Sequence, residues 1–496
     1  MPSRQETEIE SVAFVSLGCP KNLVDSERML GLLAADGLVV TPDHENADAI
    51  VINTCGFLEA SKTESLAEIR QAVALKKAGK VKRVVVAGCL VQRHKTKLLA
   101  EEPGIDRLVG VFDREHIVEA VRGVPNPREG AAGEGGHYLG KYHDLSRELA
   151  GRAGLTPSGK ETKTTRLPVF EDDRARLRLT PRHYAFLRVS EGCNQGCAFC
   201  TIPSIRGPMR SKPVEQILAE AKELAADGAV ELNLIGQDTT SYGTDIGYGP
   251  GLAGLLRTLD RELKDVQWIR LMYAYPSCFT DEMIRALAEC ERVVKYVDMP
   301  LQHINDRMLS LMKRRVTGAQ IRALLEKLRS WVPGITLRTT FIAGSPTETE
   351  AEHRELVSFV REFGFDMLGV FPYSPEPGTP MGRMEGQLPE EVKRARVDEL
   401  MLAQQEVAFA KAAAMRGRTL DVLIDRRAGR ELEDGWVARH GGQAPDIDSH
   451  TLLADDGTGS MHPGMLVRAE VVGADGYDLF AQVPRKRKRS LSVISR

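Results

Sequence analysis

The sequence is poor in the features that mark membrane proteins, secreted proteins and disulfide-rich domains. Its 496 residues contain no uninterrupted apolar run approaching about 18 residues, so we expect no transmembrane helix. The first residues, MPSRQETEIE, are polar and lack the apolar core of a signal peptide. Eight cysteines are far too few for a disulfide scaffold in a chain of this length. We therefore expect a cytoplasmic protein in which patterned cysteines act as ligands.

Aromatic residues and net charge are scarce as well. Phe, Trp and Tyr make up 5% of the chain, which disfavours a base-stacking surface. The 67 Lys and Arg residues against 69 Asp and Glu residues give a net charge of −2, which excludes a globally basic nucleic-acid binder. The hydrophobic fraction of 42% is ordinary for a folded protein, and the length predicts about three domains.

Residues 1–122 alternate between strand-like and helix-like patterns, which predicts a parallel α/β domain. Three apolar runs form its predicted strands: Val12–Leu17, Ala49–Thr54 and Arg83–Gly88. The segment 123–182, rich in Gly and Pro in its first half, breaks this alternation and is predicted to be a linker.

Residues 183–415 contain further strand candidates separated by helical segments, which predicts an open, partial (βα)6 barrel. These six candidates are Ala185–Ser190, Val230–Ile235, Gln267–Ala274, Lys295–Met299, Ile335–Ala343 and Asp366–Tyr373. Residues 416–484 contain short strand-like runs broken by Gly and Asp, which predicts a small antiparallel β-barrel. These runs are Leu420–Ile424, Gly435–Ala438, Met465–Val472 and Leu479–Val483. A basic tail follows at 485–496.

The motif EGCNQGCAFC carries the strongest chemical signal. Cys193, Cys197 and Cys200 stand directly after the first predicted barrel strand. Three such thiolates can hold a 4Fe–4S cluster and leave one iron open to a small molecule. The alternatives are a zinc knuckle or buried free thiols, but no fourth Cys or His lies close enough in sequence to close a zinc site.

A second triad is spread over the N-terminal region. Cys19, Cys55 and Cys89 each follow one predicted strand of the parallel sheet. The carboxyl ends of parallel strands share one edge, so these thiols should converge and hold a second cluster with an open iron. The alternative is three small buried residues at strand ends. Cys278 and Cys290 have no partner at ligand spacing and are interpreted as packing residues.

Two triads followed by a small barrel resemble the methylthiotransferase family of the radical S-adenosylmethionine (SAM) superfamily over nearly the whole chain. The motifs SLGCPKN, EGCNQGCAFCTIPSIRGPMRS and YVDMPLQHIND resemble the branch that modifies a ribosomal protein rather than the branch that modifies tRNA. The resemblance implies an N-terminal cluster domain, a radical SAM domain and a TRAM domain. The stretch FIAGSPTETE departs from the family's usual loop at Ser345 and Thr347, which should alter loop packing but not the chemistry.

This resemblance also implies an activity and its cofactors. The enzyme would add a methylthio group to the β-carbon of an aspartate in small-subunit ribosomal protein S-twelve, using two 4Fe–4S clusters, SAM and an electron donor. SAM would methylate sulfur at or near the N-terminal cluster, and a second SAM at the other cluster would give the radical that abstracts hydrogen. One alternative is a tRNA adenosine methylthiotransferase. Another is a non-catalytic iron–sulfur protein that senses redox state or assists ribosome assembly.

Weaker candidates lie near the predicted barrel mouth. Gly236 and Gln237 follow the second barrel strand, where the resemblance implies contact with the methionine part of SAM, although an ordinary turn is the alternative. Arg338 could pair with the SAM carboxylate or be an ordinary barrel residue. His303 is more typical of a structural hydrogen bond than of a site residue.

The predicted small barrel is acidic. Residues 416–484 contain seven Arg and no Lys against twelve Asp and Glu, a net charge of −5. A barrel that binds RNA is expected to be basic, whereas an acidic barrel suits a basic ribosomal protein. The charge therefore favours a protein substrate over tRNA, although the tail Arg485–Arg489 could contact ribosomal RNA.

Overall fold

The computed structural model describes residues 8–124, 136–140 and 172–484. The strands, β1 to β18 in chain order, are Ser11–Ser16, Val39–Thr41, Ala49–Thr54, Arg83–Gly88, Arg107–Val109, Tyr184–Arg188, Ser190–Glu191, Arg210–Ser211, Glu231–Ile235, Trp268–Leu271, Val293–Asp298, Thr336–Ala343, Met367–Pro372, Thr419–Arg427, Gly435–His440, Thr451–Ala454, Leu466–Asp475 and Asp478–Gln482. The α-helices are Pro20–Ala35, Glu59–Lys77, Cys89–His94, Lys97–Glu101, Ile117–Arg122, Ile202–Arg206, Val214–Ala226, Gly251–Glu262, Asp281–Glu289, Asp306–Leu311, Gly318–Trp331, Glu350–Phe363 and Glu390–Ala414. The predicted basic tail at 485–496 lies outside the described residues.

The N-terminal sheet is parallel throughout, with the strand order β2-β1-β3-β4-β5. Its central strand β3 is buried along its whole length, as expected for a parallel sheet that helices cover on both faces. The three strands that the apolar runs predict are confirmed as β1, β3 and β4. The pattern misses β2 and β5, which have three residues each.

The described parts of the predicted linker are packed rather than free. The Tyr138 backbone N–H donates to the Leu108 carbonyl at 2.8 Å, and the Gly110 N–H donates to the Tyr138 carbonyl at 2.7 Å. Tyr138 is buried against the N-terminal sheet. Asp173 is also buried, and arginines from two regions of the chain surround it. The composition of segment 123–182 does not reveal these contacts, because each depends on a single buried residue, Tyr138 or Asp173.

The central sheet has six parallel strands in the order β13-β12-β11-β10-β9-β6. β6 and β13 lie at opposite edges, so the sheet is an open, partial barrel, as predicted. The helix Glu390–Ala414 follows β13 and packs against the helix Glu350–Phe363 and against β13. All six strand candidates from the sequence correspond to observed strands, with bounds that differ by a few residues.

The last five strands form a closed barrel in the order β14-β15-β16-β18-β17. Its pairs are antiparallel, as predicted, except that β16 and β18 pair in parallel. The sequence pattern misses β16. The small barrel docks on residues at the starts of the central strands: Arg439 pairs with Glu231 at 2.7 Å, and Asp425 lies 2.8 Å from His183.

No helix among the described residues is both long and apolar enough to cross a membrane.

Candidate cluster and cofactor site

The N-terminal triad lies at the carboxyl edge of the first sheet. Cys19 directly precedes the helix Pro20–Ala35, Cys55 follows β3, and Cys89 follows β4. A Cβ on Gly18 would come within 2.9 Å of the Cys55 Cβ, and Gly18 has φ of +95°, so only glycine allows this approach. The strand order brings the three predicted ligands together, because β1, β3 and β4 are neighbours.

The thiols of this triad interact with one another. Burial raises the pKa of Cys89 to about 12; the neighbouring thiols of Cys19 and Cys55 add to the rise, and the guanidinium of Arg206 opposes it. Cys89 is therefore a neutral thiol until a metal displaces its proton, which is the ordinary coupling between thiolate ligation and proton release.

The second triad lies on the loop between β7 and the helix Ile202–Arg206. The loop turns its own N–H groups toward the sulfurs: the Gln195 N–H donates to Cys193 Sγ at 3.5 Å, and the Ile202 N–H donates to Cys200 Sγ at 3.4 Å. Burial raises the pKa of Cys193 to about 11 and that of Cys200 to about 12. Such donors favour bound thiolates, as a cluster-binding loop requires.

Side chains from the barrel rim complete the surroundings of Cys197. Arg314 Nη1 donates to Cys197 Sγ at 3.4 Å, and the Tyr275 hydroxyl lies 3.6 Å from the same sulfur. The Arg314 guanidinium also stacks on the Tyr275 ring, 4.1 Å from its centroid. Cys278 lies beside this loop, where its sulfur accepts from Gln195 Nε2 at 3.3 Å.

The arrangement suits a cluster better than a single metal ion. Within the described ranges, no three Cys, His, Asp or Glu side chains lie close enough together to hold one ion. A zinc knuckle needs its sulfurs about 2.3 Å from one centre, whereas a cube-shaped cluster places each thiolate on a different iron. Three thiols at the edge of the first sheet and three on the loop after β7 are the kind of donor set that 4Fe–4S clusters take.

Gly236 and Gln237 lie at the end of β9, next to the end of β6. A Cβ on Gly236 would come within 2.5 Å of Ser190 Oγ, so a larger residue here would force Ser190 to shift. The Gly236 carbonyl accepts from Lys21 Nζ at 3.3 Å, and Gln237 Nε2 donates to Glu191. Gln237 Oε1 is buried and has no partner among the described residues, which leaves an acceptor for a ligand.

The other two weaker candidates are Arg338, which lies away from the strand ends near Gly236, and His303, which lies in the core. Arg338 donates to Asp298 at 2.8 Å and to Asp448 of the small barrel at 3.3 Å. It is the third residue of β12, so the suggestion that it pairs with the SAM carboxylate is wrong. His303 is fully buried and accepts from the Asn305 N–H through Nδ1 at 3.0 Å. Burial lowers the pKa of His303 to about 3, so it is a neutral structural group.

A buried arginine that sequence reasoning missed joins the two regions. Arg206 is 1% exposed and donates to Cys89 Sγ at 3.1 Å, to Asp25 at 2.6 Å and to Glu191 at 3.2 Å. Burial alone would lower its pKa, but Cys89, Glu191 and Asp25 outweigh that effect and raise it. The sequence carries no signal for these contacts, since Asp25 and Arg206 lie 181 positions apart.

A second missed contact ties the loop after Cys55 to the barrel rim. Arg93 donates to the Gly56 carbonyl at 2.8 Å and to Glu376 at 2.8 Å. Glu376, which is 1% exposed, also accepts from the Glu59 N–H at 3.1 Å. The first sheet is thus held over the same end of the central barrel that carries the second triad.

Comparison with known proteins identifies the same three regions of the chain. The model of "Uncharacterized protein family UPF0004" matches residues 11–110, that of the radical SAM superfamily matches 187–360, and that of the TRAM domain matches 417–483. The ribosomal protein uS12 methylthiotransferase RimO of Anaeromyxobacter sp. (strain Fw109-5) is 42% identical, over 96% of this chain and 94% of that protein. The same-named protein of Trichlorobacter lovleyi is 40% identical over 96% of this chain and 98% of its own length. The chain belongs to the RimO family.

Solved structures support the fold of this RimO-family chain. The radical SAM methyltransferase TsrM from Kitasatospora setae aligns with a TM-score of 0.50 and 17% identity, over 76% of this chain and 77% of that one. The predictions of family, of fold class and of a radical SAM enzyme are confirmed. The predicted cofactors, 4Fe–4S and SAM, are those of this family. The residues that hold them stay a prediction.

Proposed function

We propose that this RimO-family protein adds a methylthio group to the β-carbon of an aspartate in ribosomal protein uS12. The observation that carries the proposal is the full-length similarity to relatives that bear the name of that activity. The two cysteine triads support it, because one would hold the cluster that positions the sulfur group and the other would hold the cluster that binds SAM. An electron donor is required, and we place the reaction in the cytoplasm, where ribosomal proteins are found.

The residues of the chain have separate roles in this proposal. Cys193, Cys197 and Cys200 would hold the cluster that binds SAM, and Gly236 and Gln237 would contact the methionine part of SAM. When bound there, the cofactor supplies the radical that removes a hydrogen atom from carbon. The loop N–H groups hold the sulfurs in place.

The N-terminal triad would hold the second cluster, which would position the sulfur of the methylthio group. Cys19, Cys55 and Cys89 are fixed there by neighbouring strands, and Arg206 ties Cys89 to the radical SAM region. We also retain the predicted domains: an N-terminal domain at 1–122, a linker at 123–182, a radical SAM domain at 183–415, a TRAM domain at 416–484 and a basic tail at 485–496.

Mass spectrometry of uS12 and of tRNA from cells with and without the gene tests the proposal. We expect the methylthio group on uS12 to disappear without the gene and to return with the wild-type chain. Cys197→Ala should restore neither SAM cleavage nor modification, whereas Cys55→Ala should cleave SAM without transferring the group. Cys278→Ala is the matched control, because this cysteine lies beside the loop but outside both triads.

The same measurement decides against the proposal if the result differs. A methylthio group on tRNA adenosine, with the uS12 aspartate unmodified, would assign the protein to the tRNA branch instead. Normal transfer by Cys55→Ala would remove the N-terminal triad from the reaction.

A further inference from the structure

The side chain of Lys21 extends from the N-terminal domain into the mouth of the central barrel. It is 6% exposed and lies in the first turn of the helix Pro20–Ala35, two positions after Cys19. Its Nζ lies 3.3 Å from the Gly236 carbonyl and 3.3 Å from the centre of the Tyr273 ring. The ammonium group therefore sits between the edge that carries one triad and the strand end assigned to SAM.

This ammonium lacks the carboxylate partner that a buried cation needs. Within the described part of the chain, no Asp or Glu oxygen lies within 4.0 Å of Lys21 Nζ. The sulfur of Cys19 and, more weakly, the carboxylate of Glu191 act on it from farther away. The oxygens of Glu191 already accept from Arg188, Arg206 and Gln237. A buried charge without a close counter-ion is costly, and the cost is removed when an anionic ligand binds beside it.

The Tyr273 ring is held in place under the ammonium. Tyr273 has φ of +60°, a left-handed conformation that an aromatic residue rarely adopts. The Tyr273 N–H donates to Asp298 at 3.2 Å, which helps to fix this conformation. Backbone strain of this kind is concentrated at binding and catalytic sites. The ring face stabilises the cation without neutralising it, so the charge remains available to an anion.

We propose that Lys21 binds the side-chain carboxylate of the aspartate that receives the methylthio group, an assignment that rests on the proposed function. The reacting β-carbon of an aspartate is bonded directly to its carboxylate carbon. A cation that holds the carboxylate therefore also fixes the carbon from which hydrogen is removed. Because Lys21 lies between the edge that carries the N-terminal triad and the strand end assigned to SAM, that carbon is held within reach of both. The same ion pair discriminates against asparagine, which carries no charge.

Binding measurements on full-length, anaerobically reconstituted protein test this role. Two forms of uS12 are titrated in the presence of SAM, one with the target aspartate and one with asparagine in its place. We expect the wild-type chain to bind the aspartate form about ten- to a hundredfold more tightly, the range for losing a charge-assisted hydrogen bond. Lys21→Met should bind both forms alike, and its Kd for SAM should stay within about twofold of the wild-type value.

Two further variants separate the charge from the fold. Lys21→Arg keeps the charge and should keep the preference for aspartate. Lys295→Met is the matched control, because the Lys295 ammonium is also held by carbonyl oxygens, those of Ala288 and Cys290. This ammonium lies at the C-terminal end of the helix Asp281–Glu289. This variant should discriminate as the wild type does. Iron content reports on the fold of each variant.

Several outcomes would overturn the assignment. SAM also carries a carboxylate, so a large loss of SAM affinity in Lys21→Met with the aspartate preference intact would give Lys21 to SAM. Equal binding of both uS12 forms by the wild type would reject a carboxylate contact. Binding of neither form by the wild type would reject the proposed substrate, and the role of Lys21 with it.

Discussion

Two buried arginines lie against candidate ligand sulfurs, one in each triad. Arg206 donates to Cys89 at 3.1 Å, and Arg314 donates to Cys197 at 3.4 Å. Hydrogen bonds to ligand sulfurs are among the terms that set the reduction potential of an iron–sulfur cluster. A positive donor favours the reduced form, which carries more negative charge. Both arginines come from the radical SAM region, so this region would tune both clusters.

Replacing Arg206 with Gln should lower the reduction potential of the N-terminal cluster. The variant loses the positive donor to Cys89 and leaves Asp25 and Glu191 without one of their cations, and both changes disfavour added negative charge. The measurement is a redox titration followed by electron paramagnetic resonance, with the second triad changed to Ala so that one cluster remains. Arg257→Gln, at a partly exposed position, is the control. An unchanged potential would confine Arg206 to a structural role.

At the scale of elements, the loop after β3 and the helix after β4 are held to the barrel rim by one ion pair. Arg93 binds the Gly56 carbonyl in the first loop and Glu376 in the loop after β13. Both side chains are largely buried, so the pair is little screened by solvent. The contact fixes the distance between the N-terminal edge and the barrel mouth.

Glu376→Gln should therefore separate the two halves of the reaction. The variant leaves the Arg93 charge unpaired, which costs about 1 to 3 kcal/mol at a buried site. We expect SAM cleavage to persist, because the second triad is untouched, while methylthio transfer falls about tenfold or more. Product analysis measures both from one incubation. Glu282→Gln, which breaks exposed pairs with Arg257 and Arg285, should change neither. Equal loss of both activities would contradict this reading of the contact.

The same elements show how far a sequence can be interpreted. β3 and β4 are continuous apolar runs, so their positions and the cysteines that follow them are predictable. β2, β5 and β16 have three or four residues each, too few for a periodic pattern. The contacts of Arg206, Arg93 and Lys21 join residues up to hundreds of positions apart. These contacts form only when the two sheets pack against one another, so no local sequence pattern predicts them.

At the scale of the whole molecule, the small barrel lies away from the triads. It contacts Tyr184 and Glu231, the first residues of β6 and β9, whereas the cysteines and Gly236 follow the ends of β-strands. Part of its acidity is used in this docking, because Asp425 binds Arg439 and His183, and Asp448 binds Arg338. The acidic surface left to a partner is therefore smaller than the net charge of −5 indicates. It can attract a basic protein but does not line the mouth.

Charge reversal on this surface should weaken uS12 modification without affecting SAM cleavage. Glu431 and Glu433 are both exposed, and changing both to Lys repels a basic partner. Asp434 is left unchanged because its φ of +51° suits Asp better than Lys. The effect should fade as salt rises, since exposed charges are screened beyond about 8 Å at physiological ionic strength. Reversal of Glu362 and Glu406, which are also exposed and each pair with an Arg, is the control. Equal modification by both double variants would reject the acidic surface as a docking site.

The ion pairs around Asp25 also set an order of events during synthesis. Asp25 leaves the ribosome 89 residues before Arg114, 163 before Arg188 and 181 before Arg206. The first sheet can fold early, but the surroundings of Cys89 are finished only when Arg206 has emerged. The N-terminal cysteines are thus made first and enclosed late. Iron delivered to a nascent chain would meet an open edge there, and that edge is completed only after the chain has grown past Arg206.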